Sequence, residues 1–121
     1  MRRGVTSGAN WEADYGYRRA VRIGDQVAVS GTTAPGPDAF TQATAAFETA
    51  LAALAELGGT AADVIRTRMY VVDMADADAV GLAHASAFGD APPAATMVAV
   101  SALISPELLV EIEIDAVLDA R

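Results

Sequence analysis

The chain has 121 residues, of which 53% are hydrophobic, and a net charge of −8, so we expect a single domain over residues 1–121 with an aliphatic core. An acidic chain without clustered Lys and Arg cannot neutralise phosphates, so we expect no nucleic acid partner. The chain has no cysteine, no lysine and one histidine. These counts exclude thiolate nucleophiles, lysine Schiff bases and multi-histidine metal sites, and we expect no metal and no cofactor.

We expect no targeting signal in the N-terminal segment. Residues 1–10 lack an apolar run of signal-peptide length, and no 18-residue apolar stretch occurs in the chain. We therefore expect a cytoplasmic protein with no membrane partner, and a flexible segment at 1–10. Two strands follow, at about 18–23 and 26–31, with Gly24 and Asp25 as the two-residue connection.

The next periodic segment predicts a helix over about residues 39–57. Asp38 is its expected N-cap, and the glycines at 58–59 end it. One apolar stripe is predicted to face a sheet, and it consists of Phe40, Phe47, Leu51 and Leu54.

A third strand is predicted at about residues 63–73, followed by a second helix. Arg66 and Arg68 share one face of this strand and could pair with acids of the last strand. Asp73 is expected to cap the second helix. His84 lies in that helix, and it is either a packed helix residue or a proton shuttle.

The C-terminal region predicts two more strands. The first runs over about residues 94–103 and follows two prolines at 92–93, where proline is tolerated. A polar turn at 104–107 leads to the last strand at about 109–117. These signals predict that the two strands form a hairpin.

Acidic and apolar residues alternate along the last strand. Glu111, Glu113 and Asp115 therefore share one face of the sheet. Two interpretations stay open at this point: a solvated sheet face, or a functional carboxylate placed inside a cleft.

Several segments together resemble the Rid family, also called the YjgF or reactive-intermediate deaminase family. Residues 93–98 (PAATMV) and 110–113 (VEIE) resemble its C-terminal signature, and residues 17–32 and 63–73 resemble its first three strands. The resemblance covers about residues 11–118. It implies a two-layer α+β, chorismate-mutase-like fold with a mixed sheet, two helices on one face, and assembly as a homotrimer with small-molecule clefts between subunits.

Two positions decide what the resemblance implies about activity. Family members that hydrolyse imines and enamines of amino acids carry, directly after the Pro-Ala of this strand, an arginine that binds the substrate carboxylate; this chain has Ala95 there. Loss of such charge-assisted hydrogen bonds costs on the order of 10- to 100-fold in affinity or rate. The glutamate that positions the attacking water in these deaminases corresponds to Glu111.

The resemblance implies further residues of the ligand cleft. They are Tyr17, Ser30, Gly31, Thr32 and Thr96. Arg19 shares a strand face with Tyr17 and could replace the missing arginine as an anchor for a substrate carboxylate. Without the resemblance, Tyr17 is an aromatic residue at the end of a strand, the Ser-Gly pair marks a turn, and Arg19 lies on the solvent-exposed side of a strand.

Three functional interpretations follow. The chain could act on a reactive imine, enamine or related metabolic intermediate by water or proton transfer through Glu111, with a neutral or cationic substrate rather than a 2-imino acid because Ala95 replaces the arginine. It could instead bind or sense a small molecule without turnover. It could also catalyse a specialised biosynthetic cyclisation or elimination.

Overall fold

The computed structural model describes residues 1–119. Its strands are β1 (Arg2–Val5), β2 (Ala20–Ile23), β3 (Gln26–Thr32), β4 (Val64–Val71), β5 (Ala94–Ala99) and β6 (Val110–Val117), and its α-helices are α1 (Asn10–Tyr15), α2 (Ala39–Glu56) and α3 (Ala77–Phe88). The mixed sheet and the helices form an α+β fold, as the sequence predicted. The two long helices agree with the prediction, and α1 is an additional short helix.

The sheet has six strands in the order β1-β2-β3-β6-β4-β5. β5 runs parallel to β4, whereas β6 lies antiparallel between β3 and β4. The predicted hairpin of the last two strands is therefore wrong. α3 carries the chain from β4 to β5 as a crossover, which makes that pair parallel. β5 ends at Ala99, and the following residues form the connection that crosses β4 to reach the centre of the sheet.

The predicted ends of α2 are confirmed. The Asp38 carboxylate accepts a hydrogen bond of 2.8 Å from the Thr41 amide, and Gly58 has a φ of 96°, which favours glycine. Phe47 and Leu54 are buried in the core, but Phe40 is 45% exposed, so the predicted stripe is wrong at its first residue. The buried side chains of the first turn are Ala39 and Gln42, and Gln42 contacts the loop before β6.

A buried glutamine makes that contact between α2 and the loop. The Gln42 side-chain amide donates to the carbonyls of Gly36 and Glu107, at 3.0 and 3.1 Å, and its oxygen accepts from the Leu109 amide at 2.8 Å. These bonds satisfy a side chain that is 1% exposed. Gln42 therefore fixes the start of β6, the strand that carries the acids.

Asp73 caps the turn that leads into α3, and α3 holds its histidine half-buried against the core side chains of Phe47 and Phe88. Asp73 accepts a hydrogen bond of 2.9 Å from the Ala75 amide and caps the 3₁₀ turn Met74–Asp76, which runs into α3. His84 Nε2 lies 2.7 Å from Thr67 Oγ1, and its ring lies 4.9 Å from that of Phe88. Burial lowers the pKa of His84. His84 is thus a packed helix residue, one of the two alternatives.

Part of the N-terminal segment forms a strand, although the sequence analysis predicted flexibility there. Arg2–Val5 forms the edge strand β1, and it pairs antiparallel with β2 from Arg2 opposite Ile23 to Val5 opposite Ala20. The Val5 side chain is 8% exposed and joins the hydrophobic core. Burial of this one side chain and the ladder of backbone hydrogen bonds hold the segment on the sheet.

The sheet has one covered face and one open face. α2 and α3 cover the face that carries Ile112 and Ile114, both 0% exposed. The open face carries the acids of β6 together with exposed apolar side chains, among them Ile23 at 53% and Ile65 at 54% exposure. The candidate site lies at one end of this open face.

Candidate functional site

Two of the three acids on β6 have close partners. Arg68 donates to Asp115 at 2.9 Å and lies 3.8 Å from Glu113. The Tyr70 hydroxyl donates to Glu113 at 2.6 Å. The predicted pairing of the β4 arginines with these acids is confirmed for Arg68. Arg66 instead donates to the Thr96 hydroxyl at 3.0 Å.

Glu111 is the acid of this row that keeps a free carboxylate. Within residues 1–119, the structure shows no hydrogen bond or ion pair to it. Burial raises the pKa of Glu111, the neighbouring charge of Glu113 raises it further, and Arg19 opposes both effects. A carboxylate with a raised pKa and unused lone pairs is suited to accept and return a proton.

Gly31 lies directly against this carboxylate. β3 and β6 pair in regular register up to Val29 opposite Ile114 and resume at Thr32 opposite Ile112. Ser30 and Gly31 therefore form a β-bulge. A Cβ on Gly31 would overlap the Glu111 carboxylate, so only glycine allows the backbone to approach it this closely.

Thr32 does not line the ligand cleft as predicted, because the bulge turns its side chain towards the core. A strict period of two after Val29 would point Gly31 to the core and Thr32 to the open face, but the extra residue reverses this order. Thr32 is 1% exposed, and its hydroxyl donates to the Ser30 carbonyl at 2.8 Å. Its side chain therefore faces the core, and the neighbouring Thr33 lines the open pocket instead.

Arg19 holds the bulge from the side. Its Nη2 donates to the carbonyls of Ser30 and Gly31, both at 2.7 Å. The Ser30 amide donates back to the Arg19 carbonyl at 3.0 Å, and the Ser30 hydroxyl donates to the Arg18 carbonyl at 2.6 Å. Arg19 Nε is buried without a partner among residues 1–119. Part of the guanidinium is thus already engaged by backbone carbonyls.

These residues border an open pocket of about 720 Å³. Of the predicted site residues, the structure brings together Tyr17, Arg19, Ser30, Gly31 and Glu111 around it. Its volume falls in the range of pockets that hold small molecules.

The pocket also contains residues that the sequence analysis missed. They are Trp11, Thr33, Ala102, Leu103 and Ile104. Trp11 is the only tryptophan of the chain and is 50% exposed, so its rarity and its position just before Tyr17 were the available signals. Leu103 and Ile104 form an apolar pair in a loop, and Ile104 is 69% exposed. An apolar wall therefore faces Glu111.

Ala95 and Thr96 do not line this pocket. Both are exposed on β5, which β4 separates from β6. Ala95 is the register partner of Thr67, whose side chain contacts α3, so Ala95 lies on the opposite face of the sheet from Glu111. Within one chain, Ala95 and Glu111 therefore cannot contact the same small ligand.

Residues 1–119 contain no group of three or more His, Asp or Glu side chains that could hold a metal ion. In the same part of the chain, no helix combines the length and apolar character needed to cross a bilayer.

Comparisons with known proteins agree with this architecture. Residues 8–118 match the model of a family described as Endoribonuclease L-PSP. An uncharacterized protein of Streptomyces coelicolor is 40% identical over 121 residues, which cover 94% of this chain and 90% of that protein.

Two crystal structures are similar over almost the whole chain. One is a member of the YjgF/YER057c/UK114 family from Mycobacterium tuberculosis, with 50% identity, a TM-score of 0.94, and coverage of 97% of this chain and 99% of that chain. The other is a protein of unknown function from Pseudomonas aeruginosa, with 31% identity, a TM-score of 0.88, and coverage of 98% and 94%. With the family model and the sheet topology, these similarities confirm the resemblance drawn from the sequence: the chain belongs to the YjgF/YER057c/UK114 (Rid) family.

Proposed function

We propose that this protein acts on a small imine, enamine or related reactive intermediate by proton transfer through Glu111. The observation that carries the proposal is the state of that carboxylate: it is unpaired within residues 1–119, its pKa is raised by burial, and it borders a pocket of about 720 Å³. Its neighbours in the acid row have close partners, so Glu111 is the member of the row that is available for chemistry.

The proposed reaction is hydrolysis of a carbon–nitrogen double bond. Glu111 accepts a proton from water while the water oxygen bonds to the imine carbon. Glu111 passes this proton to the nitrogen, which gives a carbinolamine. It then takes the proton of the new hydroxyl and delivers it to the amino nitrogen, so that the carbon–nitrogen bond breaks as C=O forms and NH₃ leaves; in total C=NH and H₂O become C=O and NH₃. Glu111 returns to its starting state. General acid–base assistance of this kind contributes roughly 10²- to 10⁴-fold in rate.

The proposed substrate does not depend on a carboxylate anchor. Ala95 offers no donor, and the Nη2 of Arg19 is engaged by the carbonyls of Ser30 and Gly31. A 2-imino acid would need the bidentate contact that neither residue supplies in this arrangement.

We propose that the working form is a homotrimer with clefts between subunits, as the family resemblance implies. Two features support self-association: exposed apolar side chains such as Ile65 on the open face, and the free outer edge of β5. In such an assembly, a neighbouring β5 would bring its Ala95 and Thr96 to the Glu111 pocket. Trimerisation would then complete the cleft that one chain leaves open.

Small-molecule binding without turnover is the second candidate. It is favoured by Ala95, because the loss of the family arginine removes a contact to substrate and leaves the pocket intact. RNA cleavage, which the description of the family names, is not what we propose. The net charge of −8 and the acid row on β6 repel a phosphate backbone.

The experiment that tests the proposal compares Glu111→Gln with Glu113→Gln. Imines are generated in situ from amines by a flavin amine oxidase, and ketone or aldehyde release above the spontaneous rate is measured. The proposal predicts that Glu111→Gln lowers the catalysed rate by at least about 100-fold, whereas Glu113→Gln keeps measurable turnover. Equal rates for wild type and Glu111→Gln would reject it. Ligand binding by a wild type without turnover would favour the second candidate.

A further inference from the structure

Two exposed aromatic side chains border the pocket that contains Glu111. Trp11 is 50% exposed and Tyr17 is 38% exposed. Trp11 is carried by the six-residue helix α1, and its ring contact within that helix is with Tyr15, at a centroid distance of 6.5 Å. A large aromatic surface left half in water at a pocket is typical of a ligand contact rather than of core packing.

The charges around the pocket favour a cation over an anion. Glu111 presents an unpaired carboxylate, and Glu113 lies behind it on the same strand face. Arg19 is the cation that faces the pocket, but backbone carbonyls accept from its Nη2, and the carboxylate of Glu12 interacts with its charge. An incoming carboxylate would meet two acids and one partly engaged guanidinium.

We propose that the Trp11, Tyr17 and Glu111 side chains bind a small organic cation: an ammonium or iminium group on an apolar body, without a carboxylate. This inference rests on the proposed function because it assigns the substrate class of the same pocket. Aromatic faces attract cations through their quadrupole, and Glu111 supplies the opposite charge. Leu103 and Ile104 contact the apolar body of the ligand.

The assignment fits the chemistry of imine hydrolysis. A protonated imine is more electrophilic at carbon than the neutral form, and it carries the positive charge that this pocket would recognise. The neutral carbonyl product lacks that charge and is bound less tightly. Trp11 is then a specificity-determining residue, and Glu111 acts both in binding and in proton transfer.

Three ligands with the same ring and different charge test the inference by calorimetry at pH 7.5. They are cyclopentylammonium, cyclopentanol and cyclopentanecarboxylate. We expect the ammonium to bind about tenfold more tightly than the alcohol, and the carboxylate to bind most weakly. Equal affinities, tightest binding of the carboxylate, or no measurable binding of the ammonium would overturn the inference.

Variants locate the binding site. Trp11→Leu should weaken ammonium binding about threefold, Trp11→Phe should restore most of it, and Glu111→Gln should weaken it about fivefold. Tyr15→Leu is the matched control, because Tyr15 lies on α1 and is 75% exposed without lining the pocket; we expect its affinity to stay within about twofold of wild type. Equal losses in Tyr15→Leu and Trp11→Leu would overturn the assignment of Trp11.

The binding experiment can succeed or fail independently of the test of the proposed reaction. Ammonium selectivity in a protein that hydrolyses no imine would keep the inference and reject the proposed reaction. Turnover of imines without ammonium selectivity would do the reverse. Trp11, as the only tryptophan, also provides a fluorescence signal from the site in Glu111→Gln.

Discussion

Gly31 and the carboxylate of Glu111 lie so close together that a Cβ on residue 31 would overlap the carboxylate. The bulge of β3 creates this approach, and Arg19 holds the bulge through two backbone carbonyls. The position of the proposed catalytic group therefore depends on a residue without a side chain.

The variant Gly31→Ala should impair activity more than stability. The atoms that a methyl would meet are those of the flexible Glu111 side chain, so the carboxylate moves aside and the fold loses only about 1 kcal/mol. A displacement of about 1 Å in a catalytic group costs on the order of 100-fold in rate. Steady-state kinetics and urea denaturation of the same samples measure the two effects.

Gly81→Ala is the matched control for that substitution. A Cβ at Gly81 in α3 meets no atom within 4 Å, and alanine is the better helix former by about 0.5–1 kcal/mol. We expect stabilisation and unchanged kinetics. Full activity in Gly31→Ala would contradict the role of the close approach.

The pH dependence of activity should follow Glu111. Because burial and then the charge of Glu113 raise its pKa, the activity that needs the carboxylate form rises with pH through a midpoint above that of an ordinary glutamate. Glu113→Gln removes the second cause, so the midpoint should move to lower pH while burial keeps part of the shift. Profiles of kcat/KM against pH for the two proteins check this; an unmoved midpoint would argue against the coupling.

Glu111 should also make the folded state less stable at neutral pH. A carboxyl whose pKa is higher in the folded than in the unfolded state binds its proton more tightly when folded. Stability is therefore greater below the unfolded pKa and declines as the pH rises through the folded pKa. Glu111→Gln should raise the free energy of unfolding at pH 7.5 and leave it nearly unchanged at about pH 4. Destabilisation of this variant at pH 7.5 would show that the carboxylate has a stabilising partner.

Much of the fold follows from local patterns in the sequence. The alternation along β6 predicted which acids share a face. Asp38 predicted the cap of α2, and Asp73 caps the 3₁₀ turn that leads into α3. The order of the sheet did not follow. The loop between β5 and β6 carries the same turn signals whether these two strands form a hairpin or β5 pairs with β4 instead. A bulge likewise leaves the period of two intact on either side of it, so the burial of Thr32 was not predictable.

The candidate site was predictable where residues carry a family pattern. Tyr17, Gly31 and Glu111, which the resemblance named, border one pocket. Trp11 was missed because a six-residue helix is too short to show a helical period.

The guanidinium of Arg19 should stabilise the bulge as well as border the pocket. Arg19→Lys keeps the charge but loses the two bonds from one nitrogen to the carbonyls of Ser30 and Gly31. We expect a loss of about 1.5–3 kcal/mol in the free energy of unfolding, measured by urea denaturation. Arg18→Lys is the control, because Arg18 is exposed and donates to the carbonyl of its own neighbour Tyr17. Similar losses in both variants would contradict the special role of Arg19.

His84 should make the fold sensitive to acid. Its pKa is lowered by burial, so the folded state binds a proton less readily than the unfolded state. The unfolded chain takes up that proton below about pH 6.5, and stability falls as the pH decreases through this range. His84→Gln, which can still hydrogen-bond to Thr67, should flatten the dependence between about pH 5 and 7. Denaturation curves at several pH values measure this slope, and an unchanged slope would assign it to other groups.

The most direct test of the account is the hydrolysis of two kinds of imine by wild type, Ala95→Arg and Glu111→Gln. One kind comes from amino acids through an amino-acid oxidase and carries a carboxylate; the other comes from amines and does not. The account predicts that wild type hydrolyses the carboxylate-free imines and is nearly inert on 2-imino acids. Ala95→Arg should gain activity on 2-imino acids, and Glu111→Gln should lose the wild-type activity on carboxylate-free imines. A wild type that hydrolyses 2-imino acids as fast as carboxylate-free imines, or a Glu111→Gln variant that matches wild type on carboxylate-free imines, would contradict the account.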